Sequence, residues 1–422
     1  MNNHDNTQII KPDLTVVGGG AAGMLASCIA AENGARVLLL ERNGIFGKKL
    51  SITGKGRCNL TNDCSITDFL YNVPTGSKFL QSAVNGFKPG DVMSLFESLS
   101  VPLKVERGAR VFPQSDKASD IVRALERYLD KNGVQTKKCR ALGLTTADGR
   151  ITGVKTDKGI FDTSALILAT GGKTYPDTGS TGDGYEMASA IGHTVTPLKA
   201  SLVPLVADPE TCAKMQGLTL KNVRLSVYDG GKKPVFQEQG ELLFTHFGIS
   251  GPLALSASAH MRDFACKKYY ALIDLKPALD EKKLDLRILR DFEKYSNRDF
   301  SNALGDLLCR LLIPVVIGKS GIPPGIKPHS ISREQRLGLG QLLKAFRIDI
   351  KGPRPIEEAI ITSGGIDLTE INPKTMESKL VKGLFFAGEI LDTDAYTGGF
   401  NLQIAWSTAH AAAQAAYKYR NP

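Results

Sequence analysis

The sequence LTVVGGGAAGM, residues 14–24, joins a short apolar run to a row of glycines and then to small helix-forming residues. A second apolar run, residues 36–40, follows and ends at Glu41. Because both runs are continuously apolar rather than alternating, they are typical of parallel strands buried on both faces of a sheet. The pattern predicts a βαβ unit at the start of an α/β fold.

The glycines in this stretch have the spacing GxGxxG, and each has a physical role. Gly18 permits the tight turn, Gly20 lets a pyrophosphate approach the backbone, and Gly23 lets the helix pack closely on the strand. The N–H groups at the start of the helix, including that of Ala22, then face the phosphates. Glu41 can accept hydrogen bonds from ribose hydroxyls. We therefore predict a dinucleotide site.

Three later segments favour a flavin dinucleotide. ATGG, residues 169–172, and GE, residues 388–389, each follow an apolar strand and resemble the segments that contact the cofactor in two-domain flavoproteins. GGFNLQ, residues 398–403, leads into a C-terminal helix. The positive end of that helix suits the anionic edge of a reduced flavin. We expect FAD to contact Ala169, Thr170, Gly171, Gly388, Glu389, Gly399, Phe400, Asn401 and Leu402.

The tract GKKLSITGKGRCNLTN, residues 47–62, carries four cations and no acid. Because it follows Glu41 closely, we expect its cations to neutralise phosphate charge and its glycines to expose N–H groups. The alternative is a solvated basic loop. Its cysteine is either a redox thiol or a buried, inert side chain, and the second is favoured because no partner lies at CxxC spacing. The expected cofactor residues here are Arg42, Lys48, Lys49, Gly54, Gly56, Arg57, Cys58 and Asn59.

The periodicity of apolar residues changes along the chain. Alternating apolar residues and turns between 201 and 278 predict a β subdomain, and a helical period between 279 and 349 predicts a helical subdomain. The pattern typical of an α/β fold returns at about residue 360. We expect a discontinuous domain, residues 1–200 and 350–422, to bind the cofactor.

Composition limits the class of protein. Hydrophobic residues make up 42% and charged residues 23%, which is typical of a globular chain. The first residues do not resemble a secretory signal and no apolar run is long enough to span a bilayer, so we expect a cytoplasmic protein without membrane contact. The seven scattered cysteines favour neither disulfides nor a metal site.

Several segments together resemble the bacterial YhiN/BaiN-like flavoprotein family. They are GGGAAGM, GKKLSITGKGRCNLTN, RVFPQSDKASDIV, GELLFTHFGISGP, ITSGGIDL and FFAGEILDTDAYTGGFNLQIAW. The family comprises NAD(P)/FAD-dependent oxidoreductases, some of them aminoacetone-oxidase-like. The resemblance implies a FAD-binding Rossmann-like domain of the glutathione-reductase type, with inserted β-barrel-like and helical subdomains.

We expect a FAD-dependent oxidoreductase that transfers a hydride between flavin N5 and a small organic substrate. Gly338 and Gly340 lie in a helical pattern rather than a second βαβ unit, so NAD(P)H would bind transiently, without a domain of its own. His246 and Tyr396 are candidate proton donors, and for His246 a purely structural role is an equal alternative. The sequence does not indicate the oligomeric state.

Two alternatives remain open. The net charge of +10 is compatible with a flavin-dependent RNA-modifying or RNA-binding protein. The sequence shows no interleaved aromatic and basic segment, so nucleic acid is the less favoured partner. The second alternative is a FAD-bound scaffold without turnover.

Overall fold

A computed structural model describes residues 11–261 and 263–420 of the chain. The strands are β1 (Leu14–Val17), β2 (Val37–Glu41), β3 (Thr61–Asn62), β4 (Leu103–Glu106), β5 (Arg110–Pro113), β6 (Gln135–Lys138), β7 (Ala141–Ala147), β8 (Arg150–Thr156), β9 (Gly159–Asp162), β10 (Leu166–Leu168), β11 (Lys199–Ser201), β12 (Leu205–Ala207), β13 (Thr219–Tyr228), β14 (Phe236–Thr245), β15 (Gly248–Ser250), β16 (Tyr269–Asp274), β17 (Phe346–Pro353), β18 (Ile361–Ser363) and β19 (Leu384–Phe386). The helices are α1 (Ala21–Glu32), α2 (Lys48–Gly56), α3 (Ile66–Tyr71), α4 (Ser77–Gly86), α5 (Pro89–Ser98), α6 (Ala118–Lys131), α7 (Asp183–Ser189), α8 (Pro209–Ala213), α9 (Gly251–Ser258), α10 (Glu281–Lys294), α11 (Phe300–Ala303), α12 (Ile313–Ser320), α13 (Arg333–Lys344) and α14 (Phe400–Arg420).

The chain forms two compact units. Residues 11–200 and 360–420 belong to the first and residues 201–359 to the second. The first unit contains a five-stranded sheet in the order β19, β10, β1, β2, β6, in which all neighbours are parallel. The sheet therefore joins a strand near the start of the chain to one near its end.

The first unit buries its central strands completely, which explains their continuous apolar sequence. Every residue of β1 and β10 is buried. Helices α1 and α14 pack against each other, and buried alanines such as Ala26 and Ala412 permit this close approach. Two antiparallel sheets, β3–β5–β4 and β7–β8–β9, also belong to this unit.

The second unit is built around a closed barrel in the order β12, β15, β14, β13, β16, β17. Helical residues such as Ile288 and Leu343 belong to the same hydrophobic cluster as the barrel residues Ile273 and Phe346. Because barrel and helices share this core, the expected boundary between residues 278 and 279 does not separate two compact units.

The C-terminal boundary of the insertion also differs from the expectation. Strand β17 pairs with β16 and β12 and so closes the barrel. A boundary at residue 350 would cut this strand, and the structure places the boundary after Ala359 instead.

The predicted fold class is confirmed in its main features: a parallel α/β sheet from both ends of the chain, with an inserted barrel and helices. Among the described helices, none is both long and apolar enough to cross a membrane.

Candidate cofactor site

The glycine turn after β1 has the geometry that its spacing predicts. Gly18 has φ +107°, and a Cβ there would overlap the carbonyl oxygen of Ala169. A Cβ at Gly23 would overlap the carbonyl oxygen of Gly18. At Gly20, by contrast, a Cβ would meet no described atom within 4 Å. Gly18 and Gly23 thus allow close packing, and Gly20 borders open space.

Helix α1 begins beside that open space. Gly20 is its N-cap residue, and no side chain in the described parts of the chain caps the helix. The N–H groups of its first turn therefore lack side-chain acceptors, and together with the helix dipole they favour an anion.

Glu41, at the end of β2, is fixed beside the turn. Its Oε2 accepts a hydrogen bond from the Gly19 N–H at 2.6 Å. Its Oε1 accepts from the backbone N–H and the side-chain Nδ2 of Asn43, at 2.7 and 2.9 Å. The acid therefore lies where the sequence places a ribose-binding carboxylate, and these contacts hold it in position.

Two further predicted segments meet the turn at the carboxyl ends of neighbouring strands. Ala169 and Thr170 follow β10 and contact Gly18. Gly388 follows β19, and a Cβ at this residue would lie 2.9 Å from the Cβ of Ala22 in α1. The turn, the segment after β10 and the segment after β19 thus surround the first turn of α1.

The residues at this edge fit a bound FAD. Thr170 Oγ1 at this edge and Asn59 Oδ1 in the basic tract are buried and have no hydrogen-bond partner among residues 11–261 and 263–420. An uncapped helix N-terminus suits the diphosphate, open space at Gly20 lets it approach, and unpartnered polar atoms suit a polyhydroxylated chain.

The basic tract begins as a helix rather than as a loop. Helix α2 is interrupted at residues 53–55, where Gly54 and Lys55 have φ of +57° and +60°. Gly56, at the end of α2, is exposed, and a Cβ there would meet no described atom within 4 Å. Lys49, in the first turn, lies 2.6 Å from Glu389 Oε2 and 2.7 Å from Thr174 Oγ1. The tract therefore contacts the residue after Gly388 through an ion pair.

Most of the expected phosphate-binding cations are held by acids or carbonyls of the protein itself. Arg57 Nη2 lies 2.5 Å from Glu106 Oε1, and its Nε donates to Asp116 Oδ1 at 2.7 Å. This guanidinium lowers the pKa of Glu106, and Lys104 together with this guanidinium lowers the pKa of Asp116. Arg42 pairs with Asp183 at 3.1 Å, and Lys48 donates to a backbone carbonyl. In this structure these charges stabilise the loops, and the N–H groups of α1 are the donors that face open space.

Cys58 is fully buried, and this burial raises the pKa of its thiol to about 12. The thiol therefore stays protonated at neutral pH, which disfavours thiolate chemistry. Its φ of +60° lies in the left-handed region. The structure thus favours the interpretation of Cys58 as a packing residue.

The RCNLTN and GGFNLQIAW segments hold each other in place. Asn62 Nδ2 donates to the Gly398 carbonyl at 3.0 Å, and Trp406 Nε1 donates to the Leu60 carbonyl at 3.0 Å. The two segments lie more than 300 residues apart, and no local pattern in either of them indicates this contact. This pairing fixes the start of α14 against β3.

The predicted residues at the start of α14 have different surroundings. A Cβ at Gly399 would overlap the backbone of Thr61, so the chain passes very close to β3 here. Phe400 is buried against Phe69, with ring centroids 5.8 Å apart. Asn401 Oδ1 accepts from the Ala395 N–H, and its Nδ2 donates to the Ala395 carbonyl. Leu402 is half-buried.

The two candidate proton donors belong to different units. Tyr396 is half-buried in the first unit, and its N–H donates to the Asn72 carbonyl at 3.0 Å. His246 is exposed in the second unit, at the turn between β14 and β15, where its ring contacts Phe247.

One cluster in the first unit has the acid–histidine–serine contacts of a hydrolase triad, but its serine is buried. His193 contacts Glu370 Oε2 at 3.0 Å and Ser378 Oγ at 2.9 Å. Ser378 is only 2% exposed, and its hydroxyl accepts hydrogen bonds from two backbone N–H groups. Burial also lowers the pKa of His193. The cluster therefore stabilises the loop before β19.

The parallel sheet, the GxGxxG turn and the open helix N-terminus define a dinucleotide-binding protein of the Rossmann class. More particularly, the chain belongs to the family described as HI0933-like protein Rossmann domain, whose model matches residues 12–415. The predicted YhiN/BaiN-like family is confirmed.

Two similar proteins match nearly the whole chain. The 3-dehydro-bile acid delta(4,6)-reductase of Clostridium scindens is 29% identical over 95% of this chain and 98% of its own. The ribosomal RNA dihydrouridine synthase of Escherichia coli K12 is 31% identical over 95% of this chain and 97% of its own.

A solved structure shares the fold. It is the 3-ketosteroid-delta4-(5alpha)-dehydrogenase of Rhodococcus jostii RHA1, with a TM-score of 0.52, 16% identity, and coverage of 99% of this chain and 100% of that chain. Family, fold and relatives make the chain a FAD-dependent oxidoreductase, as the sequence predicted.

Proposed function

We propose that the chain reduces a carbon–carbon double bond conjugated with a carbonyl group, and that its substrate is uridine in ribosomal RNA. The shared chemistry of the two full-length relatives carries this proposal. A delta(4,6)-reductase acting on a 3-dehydro bile acid and an enzyme that makes dihydrouridine both add hydrogen across such a bond. The two relatives therefore support the type of reaction more strongly than they support a particular substrate.

Charge and similarity favour RNA over a small molecule. The chain has 53 Lys and Arg against 43 Asp and Glu. The insertion, residues 201–359, holds 24 of these cations and 18 of the acids, although it is the shorter unit. A positive surface attracts the phosphate backbone of RNA. We expected nucleic acid to be the less favoured partner, and the E. coli relative reverses that order in our proposal.

The geometry of the turn supports the following proposed roles for the chain's residues. The first-turn N–H groups of α1 bind the diphosphate and Glu41 binds the adenosine ribose, while the Lys49–Glu389 pair borders the same edge. FAD, when bound, supplies hydride transfer. The other carbon of the double bond takes a proton, for which Tyr396 Oη and the His246 ring are the candidates.

The overall reaction balances as uridine, NAD(P)H and a proton giving dihydrouridine and NAD(P)⁺. We propose that the nicotinamide nucleotide binds transiently. Gly338 and Gly340 lie within α13 and therefore do not form a second nucleotide-binding turn.

Anaerobic stopped-flow absorbance tests this proposal. NADH or NADPH is expected to bleach the flavin of the purified holoprotein, and in vitro transcribed ribosomal RNA is expected to restore its absorbance. If neither nucleotide bleaches the flavin, the proposed electron donor is wrong. If the flavin bleaches but RNA does not restore the absorbance, the proposed substrate is wrong.

A second candidate substrate is a small unsaturated ketone, because the C. scindens relative covers the chain as completely as the E. coli one. In the same experiment, 4-androstene-3,17-dione serves as a small-molecule enone. Restored absorbance with this ketone and not with RNA would favour the second candidate.

A further inference from the structure

The outer face of the barrel carries a stack of planar side chains. Tyr228 of β13 and Tyr270 of β16 lie directly opposite each other. Their rings are nearly parallel, at 8°, with centroids 5.2 Å apart. The Cζ of Arg347, on the next strand β17, lies 4.2 Å from the centroid of the Tyr270 ring. The stack therefore crosses three neighbouring strands in the order of the barrel.

The alternation along these strands directs the stack away from the barrel interior. The neighbours Val227, Ala271 and Ile348 are at most 2% exposed and belong to the core. Tyr228 and Tyr270 are half-buried, and the side chain of Arg347 is 57% exposed. We call Tyr228, Tyr270 and Arg347 the stacking face.

Four lysines lie close to the stacking face, either along the same strands or in the adjoining turn. Lys232 and Lys233 lie in the turn after β13, Lys268 directly precedes β16, and Lys351 lies on β17; all four are exposed. None of the four has an ion-pair partner among the described residues. The register that pairs Tyr269 with Ile350 also places Lys268 near Lys351.

Two of the nearby acids, Asp229 and Asp349, already form ion pairs. Asp229, which follows Tyr228, contacts Lys267 at 2.6 Å. Asp349 contacts Arg347 at 2.8 Å and leaves the guanidinium plane over the Tyr270 ring. The stacking face and its surroundings therefore keep a positive excess.

We propose that the stacking face binds unpaired nucleotides of RNA. Planar aromatic and guanidinium groups stack on bases without regard to their sequence, and surrounding cations contact the phosphates, which is the chemistry of single-strand recognition. A cross-strand tyrosine pair alone would stabilise the barrel equally well in an acidic setting. The four unpaired lysines are what favour a polyanion. This inference rests on the proposed function, because it names the surface that holds the RNA substrate.

The test measures RNA binding by the full-length holoprotein, separately from turnover. Fluorescence anisotropy with a labelled oligouridylate is expected to show binding that Tyr228→Ala and Tyr270→Ala each weaken by about 10-fold. Tyr270→Phe keeps the ring and is expected to bind like the wild type. Tyr71→Ala removes an 85% exposed tyrosine from α3 and is the matched control.

A substitution in the barrel can also destabilise it, so a second variant is needed. Lys232→Ala combined with Lys233→Ala alters only an exposed turn, and is expected to weaken binding and to flatten its salt dependence. Lys78→Ala, on the exposed face of α4, is its control.

Wild-type affinity in folded Tyr228→Ala and Tyr270→Ala, or equal affinity for duplex and single-stranded RNA, would overturn the inference. Loss of oligouridylate binding with no double-bond reduction in any substrate would instead leave the stacking face supported and the proposed function wrong. Preferential binding of an acidic peptide over RNA would also overturn the inference.

Discussion

The glycine turn and the stacking face present opposite chemistry to an anionic ligand. The turn offers backbone N–H groups in a fixed geometry, and the cations near it, such as Lys49 and Arg57, are held by acids of the protein. The stacking face offers planar side chains, with lysines nearby that have no ion-pair partner in the described structure. Fixed N–H groups favour one diphosphate in one position, whereas mobile lysines favour many phosphates in many positions.

Two substitutions in the glycine turn are expected to have very different effects on folding and on FAD binding. Gly23→Ala places a methyl group on the Gly18 carbonyl oxygen, and we expect loss of the folded holoprotein. Gly20→Ala places a methyl group in open space, so the apoprotein is expected to keep its Tm. Because that space is where the diphosphate approaches, the Kd for FAD is expected to rise by at least about 10-fold.

Thermal unfolding and flavin titration of both variants test this prediction. Unchanged FAD affinity in Gly20→Ala would mean that the cofactor does not pass over the turn. A stable Gly23→Ala holoprotein would contradict the packing.

The salt dependence of ligand binding is expected to distinguish the two regions in a single preparation of the protein. Between about 50 and about 200 mM salt, binding of oligouridylate is expected to weaken on the order of 50-fold for about four phosphate contacts. The flavin content after gel filtration is expected to stay constant over the same range, because salt screens little the contact between a diphosphate and the N–H groups that it covers. If binding of FAD and binding of oligouridylate depended equally on salt, the proposed difference between the glycine turn and the stacking face would be wrong.

The Lys49–Glu389 pair tests whether the cations near the turn are structural. Both side chains are about four-fifths buried, so Lys49→Met leaves a carboxylate without its cation. We expect the free energy of unfolding of the apoprotein to fall by about 2 kcal/mol. Urea denaturation is the measurement.

Combining Lys49→Met with Glu389→Gln removes both charges and serves as the control. The double variant is expected to recover part of the stability, because no unpaired charge remains. A double variant that loses the sum of both single effects would show that the pair is not coupled.

Arg57→Ala is expected to have the smallest effect. The guanidinium is partly exposed and pairs with Glu106 and Asp116, so its removal loosens a surface network. The Kd for FAD is expected to change by less than about twofold. Loss of flavin in this variant would instead support the role in phosphate binding that the sequence predicts for Arg57.

The sequence predicts the glycine turn well because its parts are contiguous. Gly18, Gly20 and Gly23 lie on one turn, and Glu41 ends the next strand, so local spacing alone describes their geometry. The parallel sheet follows from the same local pattern, since every residue of β1 and β10 is buried.

The remaining features depend on pairing between distant residues. Arg57 finds Glu106 and Asp116, and Lys49 finds Glu389, only through the folded chain. The extent of the insertion also depends on such pairing, because β17 closes a barrel whose first strand lies far earlier in the sequence.

The stacking face is the clearest case of such a hidden feature. Its three residues come from β13, β16 and β17, so no single segment of the sequence contains all of them. Only the register of the strands brings them together.

The proposed reaction is tested most directly by nucleoside mass spectrometry of ribosomal RNA transcribed in vitro and incubated with the holoprotein and NADH or NADPH. We expect a nucleoside heavier than uridine by one H₂, formed by the wild type and not by FAD-depleted Gly20→Ala. Digests that contain only unmodified uridine, from a holoprotein whose flavin the nucleotide does bleach, would contradict the proposed reaction.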